Sequence, residues 1–152
     1  MIQRSILGVS LSLALLSSCG SGGLSFTPGT GLKAEYYDGL EFIGTRVGQI
    51  DPQINFDWGS GSPTAGILPE SFSVRWSGEI LVPYGEDYTF YLTSDDGVRL
   101  VVNSKNLVSA WNDQTSATFS GKITLEAGKR YPLRLEYYQN TGVALVKLEW
   151  SS

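Results

Sequence analysis

Hydrophobic and polar side chains alternate along most of the chain after residue 30. In one clear example, Phe72, Val74 and Trp76 are separated by Ser73 and Arg75. Because successive side chains of a strand point to opposite faces, this period of two predicts a strand with one buried face. The pattern occurs in five segments: 71–76, 88–93, 117–126, 133–137 and 146–150. No stretch carries an apolar stripe at helical spacing, so the sequence predicts an all-β chain of antiparallel strands.

Turn-forming residues separate these segments. They lie at Asp38-Gly39, 84–86, Asp96-Gly97, Asn103-Ser104, 127–128 and 140–142. Residues 51–70 contain three prolines and several glycines, which predicts a long surface loop with a short extended piece over 54–58. The turn type at Asn103-Ser104 stays open, because Ser tolerates a positive φ poorly. The spacing of strands and turns predicts one β-sandwich or barrel domain over 31–152.

The first thirty residues have a different composition. Arg4 is the only charged residue before Lys33, and an apolar run follows it over 6–16. This run is too short to cross a bilayer, which takes about 20 residues as a helix. A positive start, a short apolar core and small residues predict a secretory signal peptide over 1–18. Residues 20–30 are uncharged and rich in Gly, Ser and Pro, which predicts a flexible tether.

The segment Leu16-Ser17-Ser18-Cys19 resembles the bacterial lipobox. The resemblance implies cleavage before Cys19, a diacylglycerol on its thiol and acylation of the new amine, so that 19–30 is a lipidated tether. Two or more acyl chains anchor a protein stably, whereas one anchors it marginally. The cysteine is followed by Gly20-Ser21 without an Asp, which in lipoproteins implies delivery to the outer membrane. The alternative is an ordinary signal peptide in which Cys19 is incidental.

Composition excludes several classes of function. The chain has no histidine, so it holds neither a Ser-His-Asp triad nor a His-ligated zinc or iron site. Its one cysteine cannot form an internal disulfide. The 11 basic and 15 acidic residues give a formal charge of −4. That balance argues against nucleic acid as a partner, because binding it needs clustered Lys and Arg.

Six short motifs follow one another at wide intervals along the domain. They lie at 31–37, 54–59, 72–78, 88–100, 133–138 and 146–150, and the fourth contains Ser94-Asp95-Asp96-Gly97. In this order and spacing they resemble the PA14 domain, a family named after the bacterial toxin protective antigen. The resemblance covers 31–152 and implies an antiparallel β-sandwich or barrel of jelly-roll type. Where the activity of such a module is known, it is carbohydrate binding without catalysis.

The resemblance also implies a calcium site. Fungal adhesins of the family bind Ca²⁺ through two consecutive Asp residues joined by a cis peptide and an Asn on a later loop. The matching residues here are Asp95, Asp96 and Asn140. In those adhesins two sugar hydroxyls take the open positions on the metal, and calcium needs oxygen ligands rather than His or Cys. The alternative is that Asp95-Asp96-Gly97 and Asn140 only form turns.

The sequence favours a lipid-anchored carbohydrate-binding or adhesion module of the cell envelope. Its partners would be a glycan or a cell-wall or extracellular polysaccharide, with Trp111 as a stacking face and Asn112 as a hydrogen-bonding group. The alternative is a structural or protein-interaction domain that meets other envelope proteins. An enzyme is disfavoured, because glycoside hydrolysis needs two carboxylates about 5–9.5 Å apart across a bond, whereas Asp95 and Asp96 are adjacent.

Overall fold

A computed structural model describes residues 31–152, which form ten strands and one short helical turn at Leu40–Phe42. The strands are β1 Leu32–Tyr37, β2 Arg46–Asp51, β3 Asn55–Gly59, β4 Phe72–Leu81, β5 Glu86–Asp95, β6 Val98–Val102, β7 Lys105–Ala110, β8 Ala117–Leu125, β9 Arg130–Gln139 and β10 Ala144–Ser151. The predicted signal peptide, Cys19 and the tether lie outside the described residues. Residues 31–152 contain no helix long and apolar enough to cross a membrane.

The strands form two antiparallel sheets. One has six strands in the order β2-β1-β4-β9-β6-β7, and the other has four in the order β3-β10-β5-β8. Their apolar faces pack on each other around a core that includes Tyr36, Trp76 and Tyr137, all fully buried. At one seam β7 approaches β8 so closely that a Cβ on Gly121 would lie 2.5 Å from the Leu107 carbonyl oxygen. The predicted all-β sandwich is therefore confirmed.

Five strands occur where the alternating pattern places them, namely β4, β5, β8, β9 and β10, and most extend beyond the predicted segments. The sequence does not reveal β2, because most side chains of this edge strand are exposed on both faces. The predicted loop over 51–70 contains β3, which pairs with β10. Buried side chains of Ile54 and Ile67 hold this region against the core.

The hairpin between β6 and β7 resolves the turn that the sequence leaves open. Asn103 and Ser104 have φ values of 48° and 63°, so both central residues adopt the left-handed conformation of a type I′ turn. Ser104 therefore takes the position where glycine is favoured. The twist of the two flanking strands favours this turn despite the cost to a side chain with a Cβ.

The outer face of the six-stranded sheet is less exposed to solvent than the alternating pattern predicts. Glu136 is only 6% exposed and lies between Arg75 on β4 and Arg99 on β6. Its carboxylate oxygens are 3.0 Å from Arg75 Nε and 2.8 Å from an Arg99 terminal nitrogen. The rings of Phe42 and Trp111 cover the two guanidinium groups at 4.1 and 3.9 Å. Pairing in register across three strands brings these opposite charges together, and an aromatic ring covers each of the two guanidinium groups.

A second buried carboxylate, that of Asp51 at the end of β2, is satisfied without a cation. Its Oδ2 accepts hydrogen bonds from the Tyr36 hydroxyl at 2.6 Å and from Trp76 Nε1 at 2.7 Å. Its Oδ1 accepts a third from Gln49 Nε2 at 2.7 Å. Asp51 is 4% exposed, so these bonds form in a low-dielectric environment. They connect β2 to β1 and β4 through side chains as well as through the sheet.

Replacing this carboxylate tests how much the network stabilises the domain. Asp51→Ala leaves two buried donors, on Tyr36 and Trp76, without an acceptor, and each such group costs about 1–3 kcal/mol. We expect the free energy of unfolding, measured by urea denaturation, to fall by about 3 kcal/mol. Asp57→Ala, an exposed change on β3, should cost less than about 0.5 kcal/mol. A similar small loss in Asp51→Ala would contradict the assignment.

Candidate functional site

The two consecutive aspartates lie where β5 ends and turns into β6. Asp95 is the last residue of β5, and Gly97 precedes β6. The peptide bond between Asp95 and Asp96 is cis. Asp96 is 5% exposed, while Asp95 is partly exposed. The turn therefore presents one buried carboxylate and one that reaches solvent.

The Asp96 carboxylate joins three separate segments of the chain. Its Oδ1 accepts a hydrogen bond from the backbone nitrogen of Gln114 at 3.0 Å. Its Oδ2 accepts one from the backbone nitrogen of Asn140 at 2.9 Å. The segments that follow β7 and β9 are thus both held against the β5–β6 turn. This arrangement brings the predicted residue Asn140 next to Asp96, although 44 positions separate them.

The charged form of the Asp95 carboxyl is electrostatically unfavourable in this turn. Burial raises the pKa of its carboxyl, and the neighbouring Asp96 charge raises it further, while the backbone N–H of Ser116 partly opposes them. Among the ion pairs within residues 31–152, none involves Asp95 or Asp96. Glu136, in contrast, forms ion pairs with three arginines, Arg75, Arg99 and Arg134. No side chain in the described part of the chain neutralises the two aspartates.

A third carboxylate, which the sequence analysis missed, adjoins this pair. Asp113 Oδ1 accepts a hydrogen bond from the Tyr138 hydroxyl at 2.7 Å, and its Oδ2 accepts one from Asn140 Nδ2 at 2.8 Å. The bond from Tyr138, and then that from Asn140, lowers the pKa of the Asp113 carboxyl. No local pattern identifies Asp113, because its partners lie 25 and 27 positions further along the chain.

Side-chain hydrogen bonds hold the two backbone carbonyls of the turn. The Asp96 carbonyl accepts hydrogen bonds from Ser94 Oγ at 2.8 Å and from Gln114 Nε2 at 3.1 Å. The Tyr137 hydroxyl donates to the Asp95 carbonyl at 2.5 Å, and burial raises the pKa of that hydroxyl. Both carbonyls of the Asp95-Asp96 pair are therefore held from inside the sandwich. The carboxylates remain on the side that faces the loops.

Gly97 is required by close packing. A Cβ at this position would lie 2.1 Å from Cε1 of Tyr138, so the tyrosine ring occupies the space that any side chain would need. This contact places the Tyr138 hydroxyl beside Asp113. The glycine that the sequence marks as a turn residue therefore also sets the position of an aromatic ring at the site.

Trp111 and Asn112, the predicted sugar contacts, lie on the segment that carries Asp113. The Trp111 ring is partly buried, with the Arg99 guanidinium over one face at 3.9 Å. Trp111 also makes an edge-to-face contact with the Tyr138 ring at 4.8 Å between centroids. Its Nε1 donates to Glu41 at 3.0 Å. Asn112 is exposed, and its amide donates within its own loop, to the Asp113 carbonyl at 3.3 Å. One face of Trp111 is thus already covered, which limits stacking by a ligand.

The donor chemistry of the site consists of oxygen atoms. Within the described ranges, no three His, Cys, Asp or Glu side chains are close enough together to hold a metal ion. A cation here would therefore depend on the two carboxylates of Asp95 and Asp96 together with amide and backbone carbonyl oxygens. Calcium accepts such mixed oxygen sets, whereas zinc prefers His and Cys. The residues fit a hard cation and no softer metal.

A shallow groove of about 560 Å³ lies elsewhere, over the six-stranded sheet. It is lined by Ser77, Gly78, Val101, Ser104, Asn106, Pro132, Leu133 and Arg134. Sugar sites commonly use aromatic stacking faces, and this lining has none. It also contains none of the residues that surround Asp96. The turn between β5 and β6 is consequently the better candidate for ligand binding.

Comparisons with known proteins agree with this architecture. A model of the PA14 domain matches residues 28–152. The anti-sigma-I factor RsgI3 of Acetivibrio thermocellus is 46% identical over 124 residues, which are 82% of this chain and 19% of that protein. The solved structure of an anti-sigma factor domain-containing protein from Clostridium clariflavum is 45% identical, with a TM-score of 0.78, over 80% of this chain and 42% of that chain.

The chain thus spans less than half the length of these two relatives. A solved structure described as the PA14 sugar-binding domain from an RTX adhesin is 21% identical, with a TM-score of 0.62, over 80% of this chain and 89% of that one. At that identity the likeness concerns the fold alone. Because the family model covers all of the residues that the structure describes, the chain belongs to the PA14 domain family.

Proposed function

We propose that this domain binds a carbohydrate without breaking a bond, through Ca²⁺ held by Asp95, Asp96 and Asn140. The observation that carries the proposal is the pair of adjacent carboxylates with no cationic partner among residues 31–152. Like charges held this close in a partly buried turn are costly unless a cation shares them. Membership of the PA14 family supports the choice of a sugar as the ligand.

Hydrogen bonds within the folded domain hold the site residues in place without a ligand. Two backbone N–H groups hold the Asp96 carboxylate, and the Tyr137 hydroxyl and the Ser94 side chain hold the carbonyls of the turn. When bound, calcium supplies positive charge and open coordination positions for hydroxyl groups. Asp95 is partly exposed, so its carboxylate can meet a ligand from solvent. Pre-organisation of this kind reduces the entropy cost of binding.

The geometry supports binding rather than hydrolysis. Asp95 and Asp96 are neighbours in one turn, whereas the two catalytic carboxylates of glycosidases lie on either side of the scissile bond. The Asp96 carboxylate is also occupied by two backbone hydrogen bonds, so it is poorly placed to exchange a proton with a substrate. The domain therefore recognises its ligand and releases it unchanged.

Calcium titration and glycan binding test the proposal together. We expect heat on titration of Ca²⁺ into the protein, and signals on a glycan array that disappear with EGTA. Asp95→Asn and Asp96→Asn should each abolish both, because each removes a charged ligand. Asp57→Asn, on exposed β3, should leave both unchanged. The absence of calcium heat with the wild-type protein would refute the metal site, and glycan signals that persist in EGTA would separate sugar binding from it.

The raised pKa of Asp95 also predicts how stability depends on pH. Its folded-state pKa exceeds the ordinary value, so stability from this group is fully present below the ordinary pKa and is lost as pH rises through the folded-state pKa. With EGTA at pH 7, Asp95→Asn should therefore melt above the wild type in a thermal scan. The gap should close as pH falls and Asp95 takes up a proton. Asp57→Asn corrects for the general loss of one negative charge, and an equal gap in that variant would contradict the explanation.

A second candidate function is protein interaction. It is favoured by the relative that is named an anti-sigma-I factor, since an anti-sigma factor acts by name on another protein. In this case the domain would be a structural or interaction module, and its turn would bind no metal. A glycan array that stays blank in calcium, together with a protein partner retained equally by wild type and Asp95→Asn, would favour this function.

We further propose that the chain is a lipoprotein of the outer membrane, anchored through Cys19. The support is the sequence Leu16-Ser17-Ser18-Cys19 followed by Gly20-Ser21. Expression in a Gram-negative bacterium with a clickable fatty acid should label the wild type and place it in the outer-membrane fraction. Cys19→Ser should lose the label and leave the membrane. Equal labelling of both proteins would refute the anchor, and label in the inner membrane would refute the location.

A further inference from the structure

Asp113 occupies a position that the proposed calcium ligands alone do not explain. Its carboxylate lies between the Tyr138 hydroxyl and the side-chain nitrogen of Asn140, at 2.7 and 2.8 Å. The next residue, Gln114, donates its backbone N–H to Asp96. Asp113 therefore precedes the residue that binds Asp96, and it is itself hydrogen-bonded to Asn140.

We propose that Asp113 is a positioning residue that orients the Asn140 side chain for calcium, which deepens the function proposed above. An amide carries one oxygen and one NH₂ group on opposite sides, and only the oxygen coordinates a metal. With Nδ2 bound to Asp113, Oδ1 faces away from that carboxylate. In the part of the chain that the structure describes, no hydrogen bond is made to Asn140 Oδ1. The oxygen is therefore available to a ligand.

The position of Asp113 is itself well defined. The Tyr138 ring fills the space above Gly97, where a Cβ would lie 2.1 Å away, and its hydroxyl then reaches Asp113 Oδ1. The Trp111 and Tyr138 rings pack edge to face at 4.8 Å between centroids. A rigid aromatic support of this kind keeps the acceptor for Asn140 in one place.

Asp113 does not act as a calcium ligand in this arrangement. It does not lie close enough to Asp95 and Asp96 to form a cluster of three acidic side chains within residues 31–152. Its effect must therefore pass through Asn140. Outer groups that orient a metal ligand typically contribute 10–100-fold to metal affinity.

A double-mutant cycle separates positioning from coordination. We expect Asp113→Ala to weaken Ca²⁺ binding about 10–100-fold by calorimetry. In the Asn140→Ala background the same change should have almost no further effect, because the group it orients is gone. Glu70→Gln is the matched control. It removes an exposed acid that contacts the same loop at Gly142, and it should leave affinity within about threefold.

The outcomes distinguish this inference from the function on which it rests. Equal losses for Asp113→Ala in both backgrounds, or no loss in either, with wild-type calcium binding intact, would overturn the inference alone. No calcium heat in the wild type would overturn the proposed function and the inference with it. Thermal melting in EGTA should show that each variant is folded at the temperature of titration.

A second measurement needs no calcium. In ¹⁵N-labelled protein with EGTA, the Asn140 side-chain NH₂ signals, assigned by their loss in Asn140→Ala, should be shifted by the bond to a carboxylate. Asp113→Ala should move them towards the values of a free amide, whereas Glu70→Gln should not. Signals unchanged in Asp113→Ala would show that Asp113 does not hold Asn140, which refutes the positioning role.

Discussion

The buried carboxylate of Asp96 is the interaction on which the candidate site depends. It accepts backbone hydrogen bonds from Gln114 and Asn140, and so it holds the segments after β7 and β9 against the turn after β5. Without that acceptor, two backbone N–H groups would lose their partners, and the three segments would lose their common contact. One side chain therefore brings together the oxygen atoms that would meet a cation.

The buried carboxylates of the domain differ in the partners that stabilise them, and this difference indicates which of them serve function. Asp51 receives three neutral donors, and Glu136 receives two arginines covered by aromatic rings. Both are satisfied within the protein and stabilise the fold. At the Asp95-Asp96 pair, burial and then the neighbouring Asp96 charge raise the pKa of Asp95, and no cation within residues 31–152 offsets them. Unrelieved charge of this kind is typical of a binding site, where part of the stability is given up for a ligand.

Much of the fold can be predicted from the sequence, because strands that bury one face alternate with a period of two. The segments β4, β5, β8, β9 and β10 carry that signal. The edge strand β2 does not, since most of its side chains are exposed and neither face has to be apolar throughout. The exposure of Glu136 cannot be predicted in the same way, because a charged residue in an alternating strand predicts a solvent-exposed face. Only the strand register, which places Glu136 beside Arg75 and Arg99, shows that its charge is paired and buried.

For the site, the sequence by itself determined which residue types are available. Its lack of histidine excludes His-ligated metal sites, and its Asp95-Asp96 pair offers oxygen ligands. Family membership follows from the ordered motifs around this pair. Only the tertiary structure decided that Asp113 contacts Asn140 and Tyr138, and that Arg99 covers one face of Trp111. The physical reason is distance along the chain. Contacts between residues 12 to 27 positions apart leave no periodic pattern in the sequence. They arise only when the packed sheets bring the loop that carries Trp111 and Asp113 next to β6 and the end of β9.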